Sequence, residues 1–373
     1  MLVEQRLMAT AARSRESSAS TASVYSARRA PLYSLAAGHA HLFGCATVSV
    51  NGRSRASVSK ITCEAEATCY EQLMADALLR SFVPEHLATA PLDDEELAEA
   101  GQPPQPGTSL AGSTLIVVLE DVTAGCAAPC VMDIKLGTRT FLEAEAAGSA
   151  PRLDLAKKAL EFAPAELSAD ERNRGISKLR YMALRDSFST SHRLGCRIDG
   201  ISLSPNRRAS VDAPDVPAPL RALHTEAQLD AGLAAYFDAC PYGWALRAAF
   251  CKRLEMLRDA LESSVWLTQH ECIGTSLLLV YDGSAASEEA AMASVQLKWV
   301  DFTKVAPSAH RLTHRAQWRP GVGCREDGLL LGVDGVLRKL RELPPTPPPS
   351  PPATLPPSPQ HTPPPLPPRG CGR

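Results

Sequence analysis

The sequence predicts an α+β fold, and three observations carry that prediction. Apolar residues recur every three to four positions at Leu246, Phe250, Leu254, Leu257 and Leu261, the period of a helix packed along one face. Runs such as Thr114 to Leu119 and Ser276 to Tyr281 are short, apolar and rich in branched side chains, as in buried strands. The two kinds of segment are interspersed along the chain, so neither an all-helical nor an all-strand class fits.

Taken in order, residues 1–34 offer no periodicity and are expected to be a disordered leader. They also lack the apolar stretch of about 7 to 15 residues that marks a secretory signal. Apolar positions at Leu73, Met74, Ala77 and Leu78 predict the first helix. The Pro-rich patch from Gln102 to Gly107 reads as a surface loop, followed by strands at Thr114 to Leu119 and Val131 to Leu136. A second Pro-rich loop covers Ser204 to Pro219. Thr225 and Gln228 then form a capping-box pattern ahead of Leu229, Leu233, Tyr236 and Phe237, which share one helical stripe. After the Leu246 to Leu261 helix come strands at Ser276 to Tyr281 and Val295 to Phe302, and a last helix from Leu329 to Leu340. Fifteen of the 31 prolines fall between Pro344 and Pro368. That density predicts an extended polyproline II tail over 344–373.

Composition excludes several classes. The chain has 373 residues, 45% of them apolar and 21% charged, enough for one large core or two lobes. A net charge of −2 argues against a generally basic nucleic-acid binder. No apolar run approaches the roughly 20 residues that span a bilayer, so no membrane span is expected. The 11 cysteines contain no Cys-x-x-Cys pair and no zinc spacing, which points to reduced thiols and a cytoplasmic or nuclear compartment. The first 30 residues are rich in Arg, Ser and Ala and carry only Glu4 and Glu16 as acids, so an organellar transit peptide stays open as the alternative.

The candidate chemistry lies on strands. In Pro129-Cys-Val-Met-Asp133-Ile-Lys135-Leu-Gly137, alternation puts Met132, Ile134 and Leu136 on one face and Asp133 and Lys135 on the other, roughly 6.6 Å apart. Such a pair could orient a hydroxyl and neutralise a transferring phosphoryl group, and the same pattern also fits a half-exposed strand with an incidental ion pair. Asp301 ends another strand, a position where phosphoryl-transfer enzymes often hold magnesium through a carboxylate and which an ordinary exposed strand-end Asp fits more commonly. Lys60, followed by Glu66, could pair a phosphate-binding lysine with a helix acid. His39-Ala-His41 lacks further ligands and reads as surface. No Walker A motif, Gly-x-Gly-x-x-Gly loop or His-Arg-Asp loop occurs, which disfavours a P-loop ATPase or an ordinary protein kinase.

In their joint order these elements resemble the inositol polyphosphate kinase family from about Leu35 to Leu340. The family signature Pro-x-x-x-Asp-x-Lys-x-Gly is matched by Pro129, Asp133, Lys135 and Gly137. Arg139-Thr-Phe-Leu-Glu143, Arg180-Tyr-Met182, Leu194-Gly-Cys-Arg-Ile-Asp-Gly200, His270-Glu-Cys-Ile-Gly-Thr-Ser-Leu-Leu278 and Arg325-Glu-Asp-Gly328 resemble the trisphosphate 3-kinase branch. The resemblance implies a two-lobed, protein-kinase-like fold with an N-lobe over 35–121, a C-lobe over 122–343 and a helical substrate insert over about 142–200. It also implies ATP and Mg2+ as cofactors and an inositol phosphate as substrate. Lys60 would contact the nucleotide phosphates, Glu120 and Val122 would line the adenine hinge near Asp121, and Asp301 would bind the metal. Lys135 would contact the transferred phosphate and the substrate, and Asp133 would orient either the ribose or the attacking hydroxyl. Arg152, Tyr181 and Arg185 match the insert residues that grip substrate phosphates.

About 40 residues separate Gly137 from Lys178, room for the insert of the trisphosphate 3-kinases, which favours inositol 1,4,5-trisphosphate over the broader range of a multikinase. The chain departs from the branch at Ser202, where a phosphate-binding lysine is usual, and in a longer segment between Pro84 and Thr114. Arg207 or Arg208 is a candidate replacement for that charge. Retention of Lys60, Asp133, Lys135 and Asp301 together argues against a catalytically silent scaffold. In the tail, Pro364-Pro-Leu-Pro367-Pro-Arg369 fits a ligand of SH3-type domains, and Arg207-Arg208-Ala-Ser210 fits a basophilic phosphorylation site.

Overall fold

A computed structural model of the chain describes residues 23–26, 43–50, 53–91, 114–142, 150–203, 225–318 and 325–344. The His39–His41 pair, the two Pro-rich loops, Arg207, Arg208, Ser210, and the tail beyond Pro344 lie outside the described residues.

The N-terminal lobe is an antiparallel sheet built from β1 (Ser23–Ser26), β2 (Phe43–Val50), β3 (Arg53–Cys63), β4 (His86–Pro91) and β5 (Thr114–Glu120), in the order β1-β2-β3-β5-β4. Two of these strands were not anticipated. The β1 residues fall inside the leader read as disordered, yet they pair with Ala46 to Ser49 of β2. The β4 residues lie in the long segment after Pro84 and pair with β5 through a register shift between His86 and Ala88. Helix α1 (Glu64–Ala75) packs Ala67, Cys69, Tyr70 and Leu73 into the core against Val117 and Leu119. It ends before Ala77 and Leu78, shorter than its apolar pattern predicts. The Asp76 carboxylate accepts the Leu78 and Leu79 N–H groups at 2.8 and 3.1 Å, a local bond that replaces the next helical turn. Leu78 is left exposed.

The C-terminal lobe centres on a second antiparallel sheet, in the order β10-β9-β6-β7, formed by β6 (Pro129–Leu136), β7 (Cys196–Ser202), β9 (Ser276–Asp282) and β10 (Gln296–Val300). Strands β8 (His270–Ile273) and β11 (Lys304–Pro307) make a separate pair. The predicted alternation holds, with Met132, Ile134 and Leu136 entering the main core beside Leu277, Leu279, Leu297 and Trp299. Helices α6 (Glu226–Asp238), α7 (Gly243–Ser263), α8 (Glu288–Ala293) and α9 (Leu329–Glu342) supply the other wall of that core. The capping box read at Thr225 and Gln228 is formed.

Between β6 and β7 the chain makes α2 (Leu153–Leu160), α3 (Ala169–Arg174), α4 (Lys178–Ser187) and α5 (Thr190–Leu194). Leu155, Ala156, Ala159, Leu167, Ile176 and Leu184 give this insert a small core of its own. Among the described residues no helix is long and apolar enough to cross a membrane.

Candidate active site

Side-chain alternation sends the remaining residues of the C-lobe sheet to the face opposite its core. On β6 these are Val131, Asp133 and Lys135, on β9 Ser276, Leu278 and Val280, and on β10 Lys298 and Val300. The face is graded. Val122, Val131, Leu278 and Val280 form an apolar patch beside the β5–β6 connection, and the charged residues follow farther along the strands.

The charged end joins the two lobes. Lys60 on β3 donates to Glu66 of α1 at 2.7 Å and to Asp301 at 3.0 Å, and Lys135 donates to the other Asp301 oxygen at 3.1 Å. Asp301 follows β10 with φ at 67°, a left-handed conformation that ends the strand at Val300, two residues before the predicted Phe302. Glu66, fully buried, also accepts the Phe302 N–H at 2.9 Å, the Thr303 hydroxyl at 3.1 Å and the Thr62 hydroxyl. One helix carboxylate therefore fixes both the lysine and the loop that carries Asp301. Burial works against charge on Lys60, but Asp301 and Glu66 hold it above its ordinary value. Burial likewise opposes ionisation of Asp301, and Lys60 and Lys135 overcome it and hold the carboxyl well below its ordinary range.

Asp133 differs. It is 3% exposed, and its Oδ1 atom has no hydrogen-bond partner among the described residues. Burial pushes its titration up to about 7, opposed by Lys135 and reinforced by Asp199 and Asp301. The pairing of β6 with β7 shifts register between Asp133 and Ile134, skipping Asp199, a bulge of the kind that re-aims a side chain. Asp199 pairs with Arg197 at 3.2 Å. Burial would raise Asp199, but Arg197 and Lys135 hold it below its ordinary range.

The Asp301 carboxylate is a hard oxygen donor at the end of the C-lobe sheet, the donor type that suits a hard divalent cation. Among the described residues no trio of His, Cys, Asp or Glu could form a metal cage. That is the condition under which magnesium takes one or two protein carboxylates and completes its shell with water and phosphate.

The other predicted residues are placed as follows. Glu120 ends β5, and its carboxylate accepts the Glu85 N–H at 3.2 Å. Asp121 accepts the Thr123 N–H and hydroxyl at 2.9 and 2.7 Å, and Val122 is buried in the apolar patch. Arg185 on α4 donates to the Thr140 hydroxyl at 2.8 Å, and that hydroxyl donates to buried Asp186 at 2.9 Å. Lys304 donates to the Thr140 carbonyl at 3.2 Å. Burial and the nearby Arg197 lower the Arg185 pKa, and Tyr181 lies close enough to act on it. Arg152 stands apart. Its side chain is 55% exposed and pairs with Asp154 at 2.6 Å, not with the Lys135 group.

Sequence reasoning missed Arg197, Asp199, Ser276 and the Thr140–Asp186 pair. Arg197-Ile-Asp199 repeats the charged, apolar, charged alternation of Asp133-Ile-Lys135, a signal that could have placed it on the facing strand.

Two sheet-based lobes, one carrying a lysine–glutamate pair and the other strand-borne acids, define a protein of kinase-like fold. The chain belongs to the inositol polyphosphate kinase family, whose model matches residues 116–341. It is 30% identical over 287 residues to an inositol-trisphosphate 3-kinase homolog of Caenorhabditis elegans, an alignment covering 75% of this chain and 50% of that protein. It is 32% identical over 316 residues to human inositol-trisphosphate 3-kinase A, covering 82% of this chain and 58% of that one. The chain thus spans little more than half the length of these curated relatives. Among solved structures, the inositol phosphate multikinase Ipk2 of S. cerevisiae in complex with ADP and Mn2+ aligns at 18% identity and a TM-score of 0.43, over 76% of this chain and 98% of that one.

Proposed function

We propose that this chain is an ATP-dependent kinase that phosphorylates a hydroxyl of inositol 1,4,5-trisphosphate, giving the tetrakisphosphate. The observation that carries the reading is the Lys60–Asp301–Lys135 bridge beside a buried Asp133 that titrates near neutral pH. The apolar patch of Val122, Val131, Leu278 and Val280 suits the adenine ring, and Lys60 and Lys135 suit the polyphosphate.

In this reading Lys60, held by Glu66, binds the nucleotide phosphates, and Lys135 neutralises the phosphoryl group during transfer. Asp133 accepts the proton of the attacking hydroxyl as its oxygen bonds to the γ-phosphorus and the bond from that phosphorus to the β,γ-bridging oxygen breaks, leaving ADP. A carboxyl with a titration point near 7 can take that proton at physiological pH, which favours the hydroxyl over the ribose as its partner. Asp301 would hold the magnesium, which neutralises charge between the β- and γ-phosphates when bound. Arg185, Tyr181, Arg197 and Lys304 sit where the insert meets the sheet and suit a polyanionic acceptor.

The 3-kinase specificity is supported by the length of the helical insert and by the trisphosphate 3-kinase relatives. The test is to incubate the chain with magnesium–ATP and a panel of inositol bis-, tris- and tetrakisphosphates and identify each product. Conversion of the 1,4,5-trisphosphate alone supports the 3-kinase, conversion of several acceptors shows a multikinase, and no conversion ends the proposal.

A further inference from the structure

A lysine on the cleft face of a sheet is expected to reach for solvent or phosphate, and Lys298 does neither. Its neighbours on β10, Leu297 and Trp299, enter the main core, so strand period sends Lys298 to the opposite face. There it pairs across the ladder with Leu278, which in turn pairs with Asp133, placing it in one row with the reactive carboxyl. Its side chain is only 11% exposed. The ammonium donates to the carbonyls of Ser81 and Val83 at 3.4 and 3.2 Å and lies 3.4 Å from the Glu120 carboxylate.

Those three acceptors belong to the other lobe and the hinge. Ser81 and Val83 flank the end of a short 3-10 turn, Arg80–Phe82, that follows α1. Glu120 is the last residue of β5, and its N–H and carboxylate bind the Glu85 carbonyl and N–H at 2.9 and 3.2 Å. Glu85 is held in turn by Arg55 at 2.7 Å. An ammonium has three protons to donate, and burying one is tolerated when each finds an oxygen. Lys298 is therefore the point where the C-lobe sheet, the turn after α1 and the hinge are tied together.

We propose that Lys298 is a positioning residue for the nucleotide, fixing the Glu120–Val122 hinge against the apolar floor formed by Val131, Leu278 and Val280. The inference rests on the kinase reading above. Without the ammonium, the Glu120 carboxylate and the Ser81 and Val83 carbonyls lose their shared partner. The hinge is then free to shift relative to the floor, and an adenine ring held between them loses registration. The substrate end, built on Arg185, Thr140 and Arg197, shares none of these contacts.

The test is calorimetric titration of the full chain with magnesium and a non-hydrolysable ATP analogue, and separately with inositol 1,4,5-trisphosphate. Lys298→Met keeps the stem and removes the charge, Lys298→Arg restores a cation, and Glu120→Gln weakens the same pair without emptying the buried position. Analogue Kd should rise about 10-fold in Lys298→Met, the scale of losing a hydrogen bond from a charged donor, rise in the same direction in Glu120→Gln, and recover in part in Lys298→Arg. Trisphosphate Kd should stay unchanged in all three, which general destabilisation would not produce selectively. Wild-type binding of the analogue with equal affinity in Lys298→Met and Glu120→Gln overturns this inference alone. Absence of analogue binding by the wild-type chain overturns the kinase reading and this inference with it. If Lys298→Met does not fold, the Glu120→Gln titration decides.

Discussion

Replacing Asp133 with Asn separates what the carboxylate does for the reaction from what it costs the fold. The group is 3% exposed, and its titration is pushed up to about 7 from an ordinary 3.8. In the unfolded chain it ionises near pH 4, and in the folded chain it keeps its proton until about pH 7. Between those values the folded state binds more protons, so stability falls as pH rises and the full loss is present above pH 7. At about 1.4 kcal/mol per pH unit, the ionised carboxylate withholds up to about 4 kcal/mol from the fold. Asn resembles the neutral acid and avoids that loss. Thermal unfolding of the variant at pH 8 should therefore show Tm raised by on the order of 5 °C or more, from about 2–4 °C per kcal/mol for a domain of this size. Near pH 4 the two proteins should melt together. Turnover should fall roughly 10²- to 10⁴-fold, the scale for losing a general base, whereas wild-type kcat should rise with pH through about 7. An Asn variant no more stable than wild type at pH 8, or one with wild-type turnover, refutes the reasoning.

Other expectations follow from the same geometry. Asp301→Asn should cut turnover at least about 10²-fold, the effect of removing one electrostatic stabiliser, and leave circular dichroism unchanged, because Lys60 keeps Glu66. Arg185→Ala should lower kcat/KM for inositol trisphosphate by roughly 10- to 100-fold through one lost charge-assisted bond, with KM for ATP unchanged. Arg152→Ala, removing a half-exposed residue already paired with Asp154, should have a smaller effect in the same steady-state assay. One His314 ring nitrogen lies 2.8 Å from an Asp327 carboxylate oxygen and the other 2.8 Å from the Leu267 carbonyl, two acceptors that favour the doubly protonated ring. Burial opposes its charge, and the bond to Asp327 and the nearby Glu326 overcome it and raise its pKa above the ordinary value of 6.5. The stability it contributes is full below pH 6.5 and lost as pH rises through the folded pKa. Denaturant unfolding should accordingly show His314→Gln losing most at pH 6 and little at pH 9.

The parts of this fold that were legible in the sequence are those whose signal is local. Alternation through Met132, Asp133, Ile134, Lys135 and Leu136 placed Asp133 and Lys135 on one face, because strand period alone decides it. The Thr225 capping box and the Leu246 to Leu261 stripe likewise depend on near neighbours. Lys60 and Glu66, six residues apart, could be read as a pair for the same reason. What escaped depends on partners distant in the chain. Asp301 meets Lys60 across 241 positions, and Lys298 meets Ser81 across 217. Asp199 comes near Lys135 through the pairing of β6 with β7, strands about 60 residues apart in the chain. The early end of α1 came from a competing side-chain bond at Asp76, which an apolar pattern does not register. The β4 strand was hidden because its edge residues, His86 to Ala90, carry no run of large apolar side chains.

The central claim, that this chain moves the γ-phosphate of ATP onto an inositol phosphate, is tested most directly by following the label itself. Purified chain, magnesium, γ-labelled ATP and inositol 1,4,5-trisphosphate should yield a labelled tetrakisphosphate in amounts that grow with time and exceed the enzyme present. Lys135→Met, which removes the cation bridging Asp301 and the transferred group, should yield on the order of 10²-fold less. Label remaining entirely in ATP or appearing only as inorganic phosphate, or equal transfer by the Lys135→Met variant, would contradict the account.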